Sequence, residues 1–83
     1  MKYMFWSADK EEWLKANRNL SFEQVVAHIA ANGEFKLLRN TSSKHPNQMM
    51  IVLKLNGYPH CVPYQEEPNY LLLKTIFPNR KMK

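Results

Sequence analysis

The residues best suited to chemistry lie near the end of the chain, where an apolar run gives way to basic side chains. Tyr70 to Phe77 contains a single charge, Lys74, and Arg80 follows shortly after it. A buried strand does not need a lysine, so Lys74 and Arg80 are the first candidates for stabilising negative charge on a bound phosphate. Further cations that could contact such a ligand are Lys54, Lys81 and Lys83.

Two histidines are candidates for proton transfer, because imidazole titrates nearest neutrality. Cleavage of RNA without a metal requires activation of the 2′-hydroxyl, cations around the phosphorus and protonation of the leaving oxygen. His45 lies in a polar loop, where its side chain can reach a ligand, whereas His60 could equally be a histidine at the edge of the core. If Tyr64 lies opposite Tyr70 in the sheet, His60 falls opposite Lys74 on the same face.

The distribution of charge favours a polyanionic ligand. Residues 1–35 contain four basic and five acidic side chains, a balance of −1, whereas residues 36–83 contain eight basic and two acidic side chains, a balance of +6. RNA or an acidic protein is the natural partner of such a surface, and Tyr58, Tyr64 and Tyr70 could stack on bases. The alternatives are a basic surface that only keeps a small protein soluble, and packing of each of these tyrosines in the core or at its rim.

Several classes of protein find no support in the sequence. A chain of 83 residues has room for one domain, and no apolar run approaches the roughly 20 residues that cross a bilayer. No signal peptide is recognisable, so we expect a cytoplasmic protein without a membrane segment. The single cysteine, Cys61, is expected to be a small buried hydrophobe. No phosphate loop, nucleophile elbow or metal-binding spacing is present, so we expect no cofactor and no metal.

Capping residues mark the start of two helices. Ser7 is a plausible N-cap for a helix from about Ala8 to Asn17. Ser21 and Gln24 fit a capping box, which predicts that a second helix begins there and ends near Gly33.

After Gly33 the apolar period changes to about two, which is typical of strands. Asn56-Gly57 predicts a two-residue type I′ hairpin that places Leu55 opposite Tyr58. The expected strands are 3–6, 35–39, 49–55, 58–64 and 70–77. These patterns predict an α+β fold in the order β-α-α-β-β-β-β, with an antiparallel sheet of about four to five strands and both N-terminal helices packed on one face.

Four short motifs carry a resemblance to a known family. They are Glu12 to Lys15, Ser21 to Val26, His45 to Gln48, and Lys74 to Lys81. In their order along the chain, and with the basic motif at the end of the last strand, they resemble the BrnT family of ribonuclease toxins.

The resemblance implies a RelE-like α+β fold, an RNA-cleaving basic surface on the sheet, no cofactor, and a cognate antitoxin that neutralises the toxin. The better-known BrnT proteins carry two arginines five positions apart, whereas Lys74 and Arg80 are six apart, so only Arg80 carries over directly. The alternative from a different class is a non-catalytic module that binds RNA or a protein through the same basic sheet, because the sequence contains no unambiguous acid-base pair.

Overall fold

The structure is a computed structural model that describes residues 3–39 and 48–80. In chain order its elements are β1 (Tyr3–Phe5), α1 (Ala8–Asn17), α2 (Phe22–Ala30), β2 (Phe35–Arg39), β3 (Met49–Leu55), β4 (Tyr58–Glu66), β5 (Tyr70–Leu73) and β6 (Phe77–Pro78). The fold is therefore a small α+β domain with two helices, as the sequence predicts. Neither described helix is long and apolar enough to span a membrane.

The six strands form one mixed sheet rather than the antiparallel sheet of four to five strands that we predict from the sequence. The strand order is β1-β5-β4-β3-β2, and β6 also pairs with β4. β1 runs parallel to β5, with Tyr3 beside Tyr70, while the other pairs are antiparallel. The prediction was wrong here because it relied on short connections, and almost the whole chain separates β1 from β5.

The helices begin where their capping residues predict. The Ser7 side chain accepts a hydrogen bond from the Lys10 backbone, and Ser21 and Gln24 form both bonds of the capping box. A contact between the helices adds to these caps, since the buried Glu11 Oε1 accepts from the Phe22 backbone N–H at 2.7 Å. This carboxylate satisfies a free donor in the first turn of α2 and so joins the two helices.

The hairpin between β3 and β4 has the predicted register. Asn56 and Gly57 have φ angles of 56° and 77°, the left-handed values that a type I′ turn requires. Leu55 lies opposite Tyr58, and the pairing continues to Met49 opposite Tyr64. One face of this hairpin packs against the two helices. The hairpin contributes Ile51, Leu53, Leu55, Val62 and Tyr64 to the buried core. The helical layer, formed by α1 and α2, contributes Leu14, Phe22 and Val25.

The last strand is interrupted by a β-bulge, which the sequence analysis does not predict. Leu73 pairs with Tyr64 and Phe77 pairs with Cys61, so three residues of this strand face two of β4. The extra residue shifts the alternation of side chains by one position. Leu73 and Ile76 are three residues apart and both lie in the core, 2% and 0% exposed. Because Leu73 lies opposite Tyr64, the register with Tyr70 at that position, under which His60 would face Lys74, does not occur.

Hydrogen bonds from two directions hold the bulge, which spans residues 74–76. The Lys74 backbone N–H donates to the Pro63 carbonyl at 2.8 Å. From the helical layer, Arg18 Nη1 donates to the Ile76 carbonyl at 2.6 Å, while its guanidinium lies 4.9 Å from the centre of the Trp13 ring. Arg18 thus satisfies a carbonyl in the irregular part of the strand.

We expect Arg18→Ala to lower the free energy of unfolding by about 1–3 kcal/mol, because it leaves the Ile76 carbonyl without its charged donor. Urea denaturation would measure the change. Lys15→Ala is the matched control, since Lys15 is exposed and makes only a 3.9 Å surface ion pair with Glu23, for which about 0.5 kcal/mol is expected. Equal stability of the two variants would contradict a role for Arg18 in holding the bulge.

At the hairpin, we expect Gly57→Ala to cost about 1 kcal/mol, because a side chain is strained at a φ of 77° even though no atom lies within 4 Å of the added Cβ. Asn56→Gly keeps the turn conformation accessible and should change stability by less than about 0.5 kcal/mol. Thermal unfolding of both variants tests whether backbone conformation at Gly57, rather than space around it, limits substitution.

Candidate functional site

The two faces of the sheet have different surroundings. The core cluster contains residues from both helices and from one face of the sheet only. Within residues 3–39 and 48–80, no helix packs on the opposite face, which we call the open face. Its side chains come from Tyr3, Phe5, Lys36, Leu38, Met50, Val52, Lys54, Pro59, Cys61, Pro63, Gln65, Tyr70, Leu72, Lys74 and Phe77.

Three exposed lysines lie on the open face. Lys36 and Lys54 are paired in the ladders with Val52 and Pro59. The Lys74 backbone N–H bonds to the Pro63 carbonyl, so Lys74 still lies opposite Pro63, an open-face residue, before the extra residue of the bulge. The only carboxylate within the strands, Glu66, pairs with Leu71 on the helix-covered face. The strands of the open face therefore carry no carboxylate, although Glu67, which directly follows β4, accepts a hydrogen bond from the open-face Gln65 side chain at 2.7 Å.

The acidic side chains lie mainly in the helical layer. Those within the helices are Asp9, Glu11, Glu12 and Glu23. The fold thus turns a charge difference between the two halves of the chain into a difference between two sides of the molecule. The exposed lysines of the open face are thus separated from most of the acidic side chains of the described residues.

Aromatic rings occupy the β1–β5 end of the open face. Tyr3 and Phe5 are 78% and 53% exposed. The Phe5 ring meets the half-buried Tyr70 ring edge to face, with centroids 5.3 Å apart and planes at 90°. The sequence does not indicate that Tyr3 and Phe5 lie beside β5, because a three-residue strand gives no indication of its neighbour.

The centre of the open face is apolar. Cys61 is fully buried, as predicted for a small hydrophobe, and its ladder partners are Val52 and Phe77. Pro59 and Pro63, on the same strand and face, are buried as well. Burial raises the pKa of the Cys61 thiol, and the hydrogen bond from Asn79 Nδ2 to Sγ offsets only part of that rise. The thiol is therefore neutral near pH 7 and is unsuited to act as a nucleophile.

His60 lies on the other face of the sheet from the lysines. It is 7% exposed and pairs with Pro78, not with Lys74. Its Nδ1 is 2.7 Å from the Tyr58 carbonyl, and because a carbonyl oxygen only accepts, Nδ1 carries the hydrogen and is the donor. The expected pairing with Lys74 was wrong because the β4–β5 register is shifted by three residues from the one we assumed.

The two candidate catalytic cations lie near different ends of β4. The Lys74 N–H bonds to the Pro63 carbonyl, whereas Asn79, the residue before Arg80, bonds to the Pro59 carbonyl at 3.1 Å. Four residues of strand separate these carbonyls, which is roughly 13 Å. Arg80 is exposed at the end of β4 that contains His60. Lys74 and Arg80 therefore do not form a single charge cluster.

Tyr64 is not available to a ligand. Its side chain is 3% exposed and belongs to the core cluster. Burial raises the pKa of its hydroxyl, and the negative charge of Glu66 raises it further. The base-stacking role considered for Tyr64 would require the ring to leave the core. Among the other candidates, His45, Lys81 and Lys83 lie outside the described residues.

Among the described residues, no group of three or more His, Cys, Asp or Glu side chains is arranged to hold a metal ion. Comparison with protein-family models found no match. Searches of curated proteins and of solved structures found no match either. The resemblance to BrnT ribonuclease toxins therefore stays a prediction.

Proposed function

We propose that this protein binds RNA, holding the phosphate backbone against the open face of its sheet. The observation that supports the proposal is the separation of charge: Lys36, Lys54 and Lys74 are exposed on the one sheet face that no described helix covers, and no strand carboxylate shares that face. The chain has a net charge of +5, which would favour association with a polyanion in the cytoplasm.

Lysine is well suited to this kind of contact. Its ammonium group is a compact charge on a flexible stem, so it can follow phosphates without fixing one base sequence. Each phosphate neutralised on a single strand releases condensed counterions, and the logarithm of the affinity then falls with the logarithm of salt concentration by about 0.7 per contact. Three lysines would supply a salt-dependent interaction of moderate strength.

Solubility alone does not explain where the charges are. Around α1, Lys10, Lys15 and Arg18 are interspersed with acidic residues, and Lys15 makes an ion pair with Glu23. That mixture is usual for a surface that only needs to remain soluble. The strands of the open face carry lysines without carboxylates between them, and the nearest acidic group there is Glu67, whose carboxylate accepts from the Gln65 side chain at 2.7 Å. This excess of positive charge favours an anionic ligand.

A ribonuclease toxin with a cognate antitoxin is the second candidate. The observation in its favour is that His60 and the exposed Arg80 lie at the same end of β4. In this function His60 Nε2 would transfer a proton and Arg80 would stabilise charge on the phosphate. An antitoxin would then have to cover Arg80. The burial of His60 and the distant position of Lys74 make this candidate weaker than binding.

The charge argument predicts that Lys36→Gln, Lys54→Gln and Lys74→Gln each reduce the salt slope of RNA binding by about 0.7, and that the triple variant reduces it by about 2. Fluorescence anisotropy with a labelled RNA of about 12 nucleotides, between about 50 and 200 mM salt, would measure these slopes. Lys15→Gln removes the same charge from α1 and should leave the slope nearly unchanged. Equal effects of all four single variants would mean that net charge, not the open face, attracts the RNA.

The nuclease function makes a separate prediction. Expression of the wild type without a partner should arrest growth and degrade cellular RNA, and Arg80→Ala should relieve both effects. His60→Asn should also abolish cleavage of a labelled RNA in vitro, since the amide nitrogen can replace Nδ1 as the donor to Tyr58 but cannot titrate. Normal growth and intact RNA in the presence of soluble, folded wild type would argue for binding without cleavage.

A further inference from the structure

We infer that the open face selects single-stranded RNA, because Phe5 and Tyr70 form a subsite on which an unpaired base stacks. The inference rests on the proposed function and names the class of RNA that it would bind. The feature that supports it is the group of aromatic rings on the open face, not the lysines.

The rings of Tyr3, Phe5 and Tyr70 differ from the other exposed aromatic ring of the described structure, Trp13, because no described cation lies over them. Trp13 on α1 is also exposed, but Lys10 and Arg18 lie 4.6 and 4.9 Å from the centre of its ring. Among the described residues no cation lies over Phe5, Tyr3 or Tyr70 in this way. Large rings that remain uncovered on one face are typical of a binding surface.

The β1 strand is anchored to the core by side chains on its other face. Its other side chains, Met4 and the following Trp6, pack against the core, and Trp6 stacks on Phe22 with ring centroids 5.5 Å apart. Phe5 is further supported by its edge-to-face contact with Tyr70. A base that stacks here would meet a platform that is already formed, so little ordering would be needed on binding.

The arrangement of rings and lysines matches an RNA strand rather than an isolated base. Four strand spacings of about 4.8 Å separate β1 from β2, so the open face is ~19 Å wide. The rings lie at the β1–β5 end, and the lysines lie on β2, β3 and the bulge. A strand that crosses the face would place unpaired bases on Phe5 and Tyr70 and its phosphates beside the lysines.

A duplex cannot use the aromatic subsite. In double-stranded RNA the faces of the bases are stacked on one another inside the helix, and only phosphates, hydroxyls and base edges are accessible. A duplex would therefore interact with the lysines alone, whereas a single strand would gain the stacking contact as well. Since every base has a flat aromatic face, the subsite should show little dependence on sequence.

The experiment compares two RNAs and two kinds of variant by fluorescence anisotropy. The probes are an unstructured RNA of about 12 nucleotides, inside the range bound by single-strand-binding folds, and a blunt duplex of the same length. Phe5→Leu and Tyr70→Leu remove a ring and keep an apolar side chain. Leu38→Ala is the control, since Leu38 is an exposed aliphatic residue on the open face at its far edge.

The wild type should bind the single strand at least about 10-fold more tightly than the duplex. Phe5→Leu and Tyr70→Leu should remove most of this difference, leave duplex affinity unchanged and leave the salt slope unchanged. Leu38→Ala should behave like the wild type. Lys54→Gln should weaken both RNAs and reduce the salt slope, which separates the contribution of charge from that of stacking.

A second measurement does not depend on how the variants fold. Photocrosslinking of the wild type to an RNA that carries 5-iodouridine should join the base to Phe5 or Tyr70, as located by mass spectrometry. The inference would be overturned if both RNAs bound with equal affinity that depended on the lysines. It would also be overturned if crosslinks formed only at residues distant from β1 and β5. Either result would leave the proposed function intact. Absence of salt-dependent binding to either RNA would overturn the proposed function itself, and would favour a protein ligand for the aromatic end.

Discussion

The extra residue between β5 and β6 is the constraint on which much of this structure depends. Without it, side chains three positions apart would point to opposite faces, and Leu73 and Ile76 could not both enter the core. The same shift turns Phe77 toward the open face beside Cys61. Arg18 bonds to the Ile76 carbonyl, so the helical layer supports the irregular backbone that completes its own core.

The helices determine which surface remains open. Glu11 bonds to the first backbone N–H of α2, so the two short helices form one layer over a single face of the sheet. That layer contains most of the acidic side chains, whereas the lysines of the strands project to the other side. Local packing thus produces a long-range electrostatic asymmetry, and this asymmetry is the physical basis of the proposed interaction with RNA.

The position of each cation also bears on the choice between binding and catalysis. A phosphoryl-transfer site needs its charged groups and its proton-transfer group within reach of one phosphorus atom. Lys74 and Arg80 lie near different ends of β4, and His60 is buried on the side away from the lysines. Backbone binding has no such requirement, because separate lysines can contact separate phosphates. The arrangement of the described residues therefore suits binding better than cleavage.

Features set by neighbouring residues could be predicted from the sequence. The capping residues located both helices, Asn56-Gly57 determined the β3–β4 register, and the burial of Cys61 followed from its being a lone cysteine in an apolar strand. The helix starts and the hairpin register depend on backbone preferences and hydrogen bonds within a few residues. The charge difference between the halves was equally visible, although not the faces on which the charges would lie.

Only the tertiary structure decided the parallel pairing of β1 with β5 and the bulge beside β4. Tyr3 and Tyr70 are neighbours in the sheet but lie near opposite ends of the chain, and no local preference favours that pairing. The bulge exists because Leu73 and Ile76 are both buried against the helical layer, a requirement of packing rather than of local conformation. Shifting a strand by one residue reverses its faces, so the sequence alone could not show whether Lys74, His60 and Arg80 would meet.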